Sequence, residues 1–349
     1  MRKLLSCIAA FSICLVAVSQ TEVDRLVKDG IRLHDEARYD EALKKYDSAL
    51  AIDKAHYLAN YEKSYTLLIL KKYDETIGIS KFLLELDPNN INAHAVYINL
   101  GSAQDDKGDV EEAIKTFTKG IGLFPNSYLL HFNRGITYYK LERDKESMVD
   151  FQNALYQKPV HASSHQFLGR LMIDDNNRIA AILSLFTFLI MEPEGERAKP
   201  NYELLDKQIM KGISQDGKGA TVIGIESLLP DKKNKKAEND FSALDLMLSL
   251  SAALDKDEKF RDQNAAEKLE RKMSNLVSMF SEKEKGKGFF WDFYTPFLTE
   301  MKKKDHLVTA CYLASIQSDT EQVNAWIDQN GTRIRGLYDW INEYKWNIK

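Results

Sequence analysis

Two stretches of the sequence hold residue types at spacings that could do chemistry. The first is "GISQDGKG", Gly212 to Gly219. A glycine, four residues, then Gly-Lys is the spacing of a loop that wraps backbone N–H groups around phosphates. That loop needs a hydroxyl after the lysine to hold magnesium, and Gly219 has none. It must also follow a strand, whereas "NYELLDKQIMKGI", which leads into it, has the apolar spacing of a helix. The second is His161 and His165, four apart, which one helix face could turn toward a metal ion. No third ligand stands near them, and His131 holds the position of His165 thirty-four residues earlier, which points to packing. The acidic stretches "QDDKGD" and "IDDNN" lack the ligand spacing of a calcium loop. Gly-x-Ser-x-Gly, His-Glu-x-x-His and Cys-x-x-Cys are all missing from the sequence. The expectation is a protein that is not an enzyme, with no catalytic residue, no metal site and no cofactor.

What positions the side chains is a repeat. The small residues Ala42, Thr76, Ala113, Ser147 and Ala181 follow one another at steps of 34, 37, 34 and 34. Twelve residues before each stand Gly30, Ser64, Gly101, Gly135 and Gly169. Four after each come Tyr46, Ser80, Phe117, Phe151 and Leu185, and twelve after come Lys54, Pro88, Pro125, Pro159 and Pro193. Small residues on two helices let their axes approach to the short end of the roughly 8–10 Å range. An aromatic one turn on is expected to fill the gap where the helices splay. Proline ends the second helix, because it cannot continue it.

"KDGIRLHDEARYDEALKKYDSALAIDK", "NLGSAQDDKGDVEEAIKTFTKGIGLFPN" and "NRGITYYKLERDKESMVDFQNALYQKPV" resemble the tetratricopeptide repeat, a helix–turn–helix unit of this period. The resemblance covers residues 23–195 as five units, 23–56, 57–90, 94–127, 128–161 and 162–195, roughly half the chain. It implies an all-α fold in which hairpins stack into a right-handed solenoid with a concave binding face. In that family the first helix of each unit lines the concave face. Carried over by position, this assigns Tyr61, Tyr65 and Leu68 to the face, then Ile98, Ser102 and Asp105, then Phe132, Ile136 and Tyr139, and finally Gln166 and Arg170. Some members clamp a C-terminal carboxylate with Lys and Asn there. The middle units here offer Tyr, Ile and Phe instead, which argues against such a clamp and for an apolar peptide or helix. The protein's own C-terminal half is the alternative occupant.

The repeat stops after Pro193. An extra helix is expected over 196–213, a linker over 214–238 and an irregular helical domain over 239–349. In that domain Phe241, Leu244 and Leu248 form one stripe, and Leu269, Met273, Leu276, Val277 and Phe280 another. Phe289, Phe290, Trp291, Phe293, Tyr294 and Phe297 crowd a third segment. Ser318, three before Glu321, reads as a capping box, Asn330-Gly331 as a stop, and "TRIRGLYDWINEYKW" as the last helix. All four tryptophans lie in this half. Their helical spacing favours core over an aromatic docking site.

The N-terminus "MRKLLSCIAAFSICLVAVSQT" has two basic residues, an apolar run and Ala17-Val18-Ser19, the pattern of a cleaved signal peptide at 1–19. The run falls short of the roughly 20 residues of a spanning helix. Cleavage would leave Cys311 as the one cysteine and take the net charge from −4 to −6, which offers nothing to nucleic acid. The expected localisation is therefore exported, periplasmic or envelope-associated, with secretion also open. The expected function is a scaffold for a protein or peptide partner in a bacterial envelope. A C-terminal enzyme or ligand-binding module and a self-associating structural component are the alternatives.

Overall fold

A computed structural model describes residues 20–88, 90–215, 221–224, 238–280 and 286–348. The expected leader at 1–19 and the lysine run of the expected linker lie outside the described residues. Among the described residues the fold is all-α apart from one short ribbon, and the chain divides into two compact units that part between Asp150 and Phe151.

The first unit begins with helix α1 over 20–35. It continues with α2 (Tyr39–Ile52), α3 (Tyr57–Ile69), α4 (Tyr73–Leu86), α5 (Ala93–Lys107), α6 (Val110–Leu123) and α7 (Tyr128–Lys140). Helix α8 (Asp144–Gln157) runs through the division. The second unit holds α9 (Ala162–Asp174), α10 (Arg178–Met191) and α11 (Ala198–Ile209). Strand β1 (Ile213–Gln215) then pairs antiparallel with β2 (Thr221–Ile223), Ile213 facing Ile223. After it come α12 (Ser242–Ala253), α13 (Ala265–Met279), α14 (Phe289–Lys303), α15 (Leu307–Ala314), α16 (Glu321–Gln329) and α17 (Gly331–Glu343). Part of the expected linker is therefore a β-ribbon.

Each repeat turns within its hairpin in one way. Five residues before each anchor, Ala37, Lys71, Gly108, Glu142 and Asn176 all have φ between 56° and 99°. The next residue donates its N–H five positions back: Arg38 to Leu33 O, Lys72 to Leu67 O, Asp109 to Gln104 O, Arg143 to Tyr138 O and Asn177 to Met172 O, at 2.8–3.0 Å. This closes the last turn of the first helix and satisfies its end carbonyls. The same turn joins α14 to α15. Asp305 has φ 61°, His306 N–H meets Met301 O at 2.9 Å, and buried Ala310 stands five on. The second unit thus reuses the repeat's turn well beyond Pro193.

The columns work differently from the expectation in one respect. The aromatic does not fill a splay beyond the glycine; it lies directly on it. A Cβ on Gly30 would sit 2.4 Å from Tyr46 Cε1, one on Gly101 2.5 Å from Phe117 Cε1, and one on Gly169 2.8 Å from Leu185 Cδ2. The anchor meets the same residue's carbonyl: Ser147 Oγ donates to Gly135 O at 2.9 Å and Thr76 Oγ1 to Ser64 O at 3.3 Å. Where serine replaces the glycine, Ser80 replaces the aromatic. Ser64 and Ser80 are both buried, so the hairpin stays closed because bulk is lost on one side as it is added on the other.

In the second unit every residue of α10 from Arg178 to Ile190 is buried. Arg178 ties this helix to its neighbours. Nε and Nη2 donate to Gln208 O and Ile209 O at 2.6 and 2.7 Å, closing the end of α11, and Nη1 reaches Asp245 Oδ1 and Ser249 Oγ of α12 at 2.9 and 2.6 Å. The aromatic residues of α14 are core, as their spacing predicts. Phe293 and Phe297 stack on Trp346 at 4.8 and 4.2 Å, and Trp291 on Phe241 at 4.5 Å. Pro296 lies inside α14, and Asp292 O, deprived of the amide four residues on, accepts from Asn347 Nδ2 at 3.1 Å. Two sequence expectations need correction. Thr320, not Ser318, precedes α16, because Ser318 is spent in a 3-10 turn, and a capping box forms instead between Asn264 and Glu267 at α13. The last helix begins at Gly331 and stops at Glu343, where Tyr344 turns to extended backbone.

Candidate partner-binding face

The residues expected to line a binding face lie on α3, α5 and α7 of the first unit and on α9 of the second. In the first unit these helices bury one side: Ala59, Ser64 and Leu67 on α3, Val96, Leu100, Gly101 and Ala103 on α5, Leu130, Gly135 and Thr137 on α7. Helical spacing then leaves the intervening residues outward. Tyr61, Leu68, Ile98, Ser102, Asp105, Phe132, Ile136 and Tyr139 are all half-buried, and Tyr65 is 37% exposed. Seven of these nine are aromatic or aliphatic, so the first unit offers apolar surface at the expected positions.

Local contacts set how these side chains are held. The Tyr65 ring stacks on His34 at 5.1 Å, and His34 Nδ1 lies 2.8 Å from Thr66 Oγ1. Burial, with the nearby Glu62 and Tyr65, pushes the Tyr61 hydroxyl up to about 12, so it stays neutral. Asp105 is not a free carboxylate: Lys140 Nζ donates to its Oδ2 at 2.6 Å and to Asp106 Oδ1 at 3.3 Å. The position-by-position transfer missed Lys140, although it directly follows Tyr139.

Of the two positions in the second unit, one is buried. Gln166 is 5% exposed, and its Oε1 accepts from Arg197 Nη1 at 3.2 Å. Arg197 also donates to Ser163 Oγ at 2.9 Å and Glu192 Oε1 at 2.9 Å, so Gln166 shares that guanidinium with two other groups. Arg170 is half-buried, and its Nε has no hydrogen-bond partner among the described residues.

The other chemical candidates take structural roles. His165 is enclosed, with Nε2 2.8 Å from Pro159 O and Nδ1 2.7 Å from Tyr294 Oη. A carbonyl only accepts, so Nε2 carries the proton and Nδ1 receives the tyrosine hydroxyl. Both nitrogens are used, which leaves none for a metal. Burial pushes this imidazole down to about 3 and His161 down to about 4. His161 Nδ1 pairs with Ser164 Oγ at 2.8 Å. Cys311 is fully buried, and burial raises its thiol well above the ordinary range. Residues Ile213–Gln215 of the phosphate-loop motif form β1, and the chain returns as β2 rather than opening a helix. In the second unit a polar cleft of about 540 Å³ is lined by Tyr202, Asp206, Asp262, Arg261, Lys268 and Lys272, among others. Lys272 is buried there against Asp255, 2.5 Å away.

Residues 94–127, the α5–α6 hairpin, match the sequence model of the tetratricopeptide repeat. Among solved structures the chain is similar to TTC0263, a thermophilic TPR protein of Thermus thermophilus, at 19% identity. That match covers 54% of this chain and 98% of that one, with a TM-score of 0.44. PilF of Pseudomonas aeruginosa aligns at 14% identity over 55% of this chain and 91% of its own, TM-score 0.45. YrrB, described as a TPR protein with an unusual peptide-binding site, aligns at 19% identity over 48% and 86%, TM-score 0.37. No curated protein matches the sequence.

Proposed function

We propose that this chain, a tetratricopeptide-repeat protein, is a non-enzymatic scaffold that holds a peptide or helix of a partner protein along the first-helix face of its N-terminal unit. One observation carries the reading. Tyr61, Tyr65, Leu68, Ile98, Phe132, Ile136 and Tyr139 keep part of their surface open at the corresponding positions of successive hairpins. Apolar and aromatic side chains that the fold leaves partly open are what a partner segment can cover. The leader pattern at 1–19 supports export, and we place the scaffold in a bacterial envelope or periplasm. Among the described residues no helix is long and apolar enough to cross a membrane.

Affinity capture from envelope fractions tests this. The wild-type chain should retain a partner that a Tyr65→Ala, Phe132→Ala variant loses, with both giving the same circular dichroism. Equal capture by the two proteins overturns the reading. The polar cleft of the second unit favours a second reading, a small polar ligand held in the C-terminal part. Calorimetry of wild type against Lys268→Ala with candidate zwitterions decides it, and identical traces count against it.

A further inference from the structure

The third repeat starts three residues late, and the extra residues build something. Asn90 and Asn92, from the lengthened loop before α5, form one wall of a pocket of about 590 Å³. His56, Tyr57, Leu58 and Tyr61 of the α3 start line it, with Asp24 of α1 and His94 and Ala95 of α5. The volume falls within the usual range for ligand pockets, roughly 300–1,000 Å³. Tyr61 belongs at once to this pocket and to the partner-binding face.

The polar atoms around the pocket are unequally committed. Helix N-termini commonly attract anions through free N–H groups, but here several of those donors are already taken. Ala59 N donates to His56 Nδ1 at 3.2 Å, Asn60 N to His56 O, Ala93 N to Asn90 O and Ala95 N to Asn92 O. Acceptors stand open beside them, and the buried Tyr57 hydroxyl has no hydrogen-bond partner among the described residues. Asp24 makes no ion pair with Lys or Arg among the described residues, and His56 Nε2 lies 3.6 Å from its Oδ1. Most other carboxylates on the same helices are paired, Glu22 with Arg25, Asp29 with Arg25 and Lys45, Asp105 and Asp106 with Lys140. His94 Nδ1 lies 3.2 Å from the carbonyl of Ile91, so it carries the proton and leaves Nε2 as an acceptor. No Lys or Arg lines the pocket among the described residues. Leu58, which lines the pocket, is half exposed, and Ile91, between the lining residues Asn90 and Asn92 in sequence, is 83% exposed.

We propose that this pocket takes a lysine or arginine side chain of the partner peptide, flanked by aliphatic residues. The aliphatic stem lies against the Tyr57 and Tyr61 rings, and the cationic head meets Asp24 and the His94 Nε2 acceptor. Leu58 and Ile91 cover the flanking residues. The proposal rests on the scaffold reading and names the chemistry of what is scaffolded.

The test uses the full chain, labelled in its histidine rings and followed by NMR. Three peptides are titrated: acetyl-Leu-Arg-Leu-amide, and its Glu and norleucine counterparts. The arginine peptide should shift the His56 and His94 rings saturably, with a dissociation constant of about 1 mM or tighter, about tenfold tighter than the other two. Asp24→Asn should bring the arginine peptide down to the norleucine level, with an unchanged melting curve. Tighter binding of the Glu peptide, an unchanged affinity in Asp24→Asn, or no saturable shift with any peptide overturns the proposal. Capture that depends on Tyr65 and Phe132 is measured separately, so the pocket can fail while the scaffold reading stands.

Discussion

Helices α6 and α10 are second helices of the same repeat, one in each unit, and they solve different problems. Helix α6 buries Ala113, Ile114, Phe117 and Gly120 and leaves Glu111, Glu112, Lys115, Thr118 and Lys119 to solvent. The residues that stand at those five outward positions on α10 are Ile179, Ala180, Leu183, Phe186 and Thr187, all buried. Both helices keep the inward column, Ala113 with Phe117 and Ala181 with Leu185. The hairpin template sets one face only; what covers the other face is written in the remaining residues. Burying a leucine or phenylalanine side chain is worth about 1.5–3 kcal/mol. The outward face of α10 is therefore a large part of why the last hairpin belongs with the C-terminal helices and not with the hairpins before it.

The sharpest way to break this comparison is at Arg178, which stands where α6 has Val110. Arg178→Met leaves two carbonyls of α11 and the part-buried Asp245 carboxylate without their partner. We expect a loss of about 3–5 kcal/mol. Hydrogen exchange should speed up at α10, α11 and α12 while α5 and α6 keep their rates. A uniform change in both units would contradict the division.

The glycine–aromatic pairing gives the next largest effect. Gly101→Ala should cost about 1–3 kcal/mol through overpacking against Phe117, and Phe117→Leu should recover much of it. In the serine-paired hairpin, Ser80→Phe should destabilise alone and be tolerated with Ser64→Gly. Denaturant midpoints of the singles and the double read the coupling directly.

A third test concerns acid. The His165 imidazole is held at about 3 in the folded protein against an ordinary value near 6.5, so the unfolded chain takes up its proton first. The stability it supports is complete above pH of about 6.5 and drains by about 1.4 kcal/mol per pH unit as pH falls toward the folded value. Denaturant unfolding of the second unit across that window should be steeper in wild type than in His165→Gln.

The smallest effect is at the turns. Ala37→Gly, Lys71→Gly and Glu142→Gly should each stabilise by about 0.5–1 kcal/mol, since only glycine takes a left-handed φ without cost. Asp305→Gly should do the same, because the α14–α15 turn is the same structure. Thermal midpoints check all four.

The repeat was legible because close helix approach tolerates few residue types, so Gly30, Gly101 and Gly169 stand out by spacing alone. The turn column was not legible, because Ala37, Lys71, Gly108, Glu142 and Asn176 share a backbone conformation and no side-chain property. The enclosure of α10 could have been found from "RIAAILSLFTFLIM", which has no polar stripe for water. On the proposed binding face, helical position pointed to residues that are partly exposed in the first unit. It could not foresee Arg197 over Gln166 or Lys140 on Asp105, since both come from outside the motif. The late start before His94 was visible as a longer loop, but the pocket it walls needs three helices to exist.

Site-specific photo-crosslinking in cells tests the central claim most directly. A photoreactive phenylalanine analogue is placed at Tyr65 or Ile136 on the first-helix face, and at Lys81 or Lys115 on second helices. The account predicts that the same partner protein is trapped from Tyr65 and Ile136 and not from Lys81 or Lys115. Trapping only from Lys81 and Lys115, or equally from all four, would contradict it.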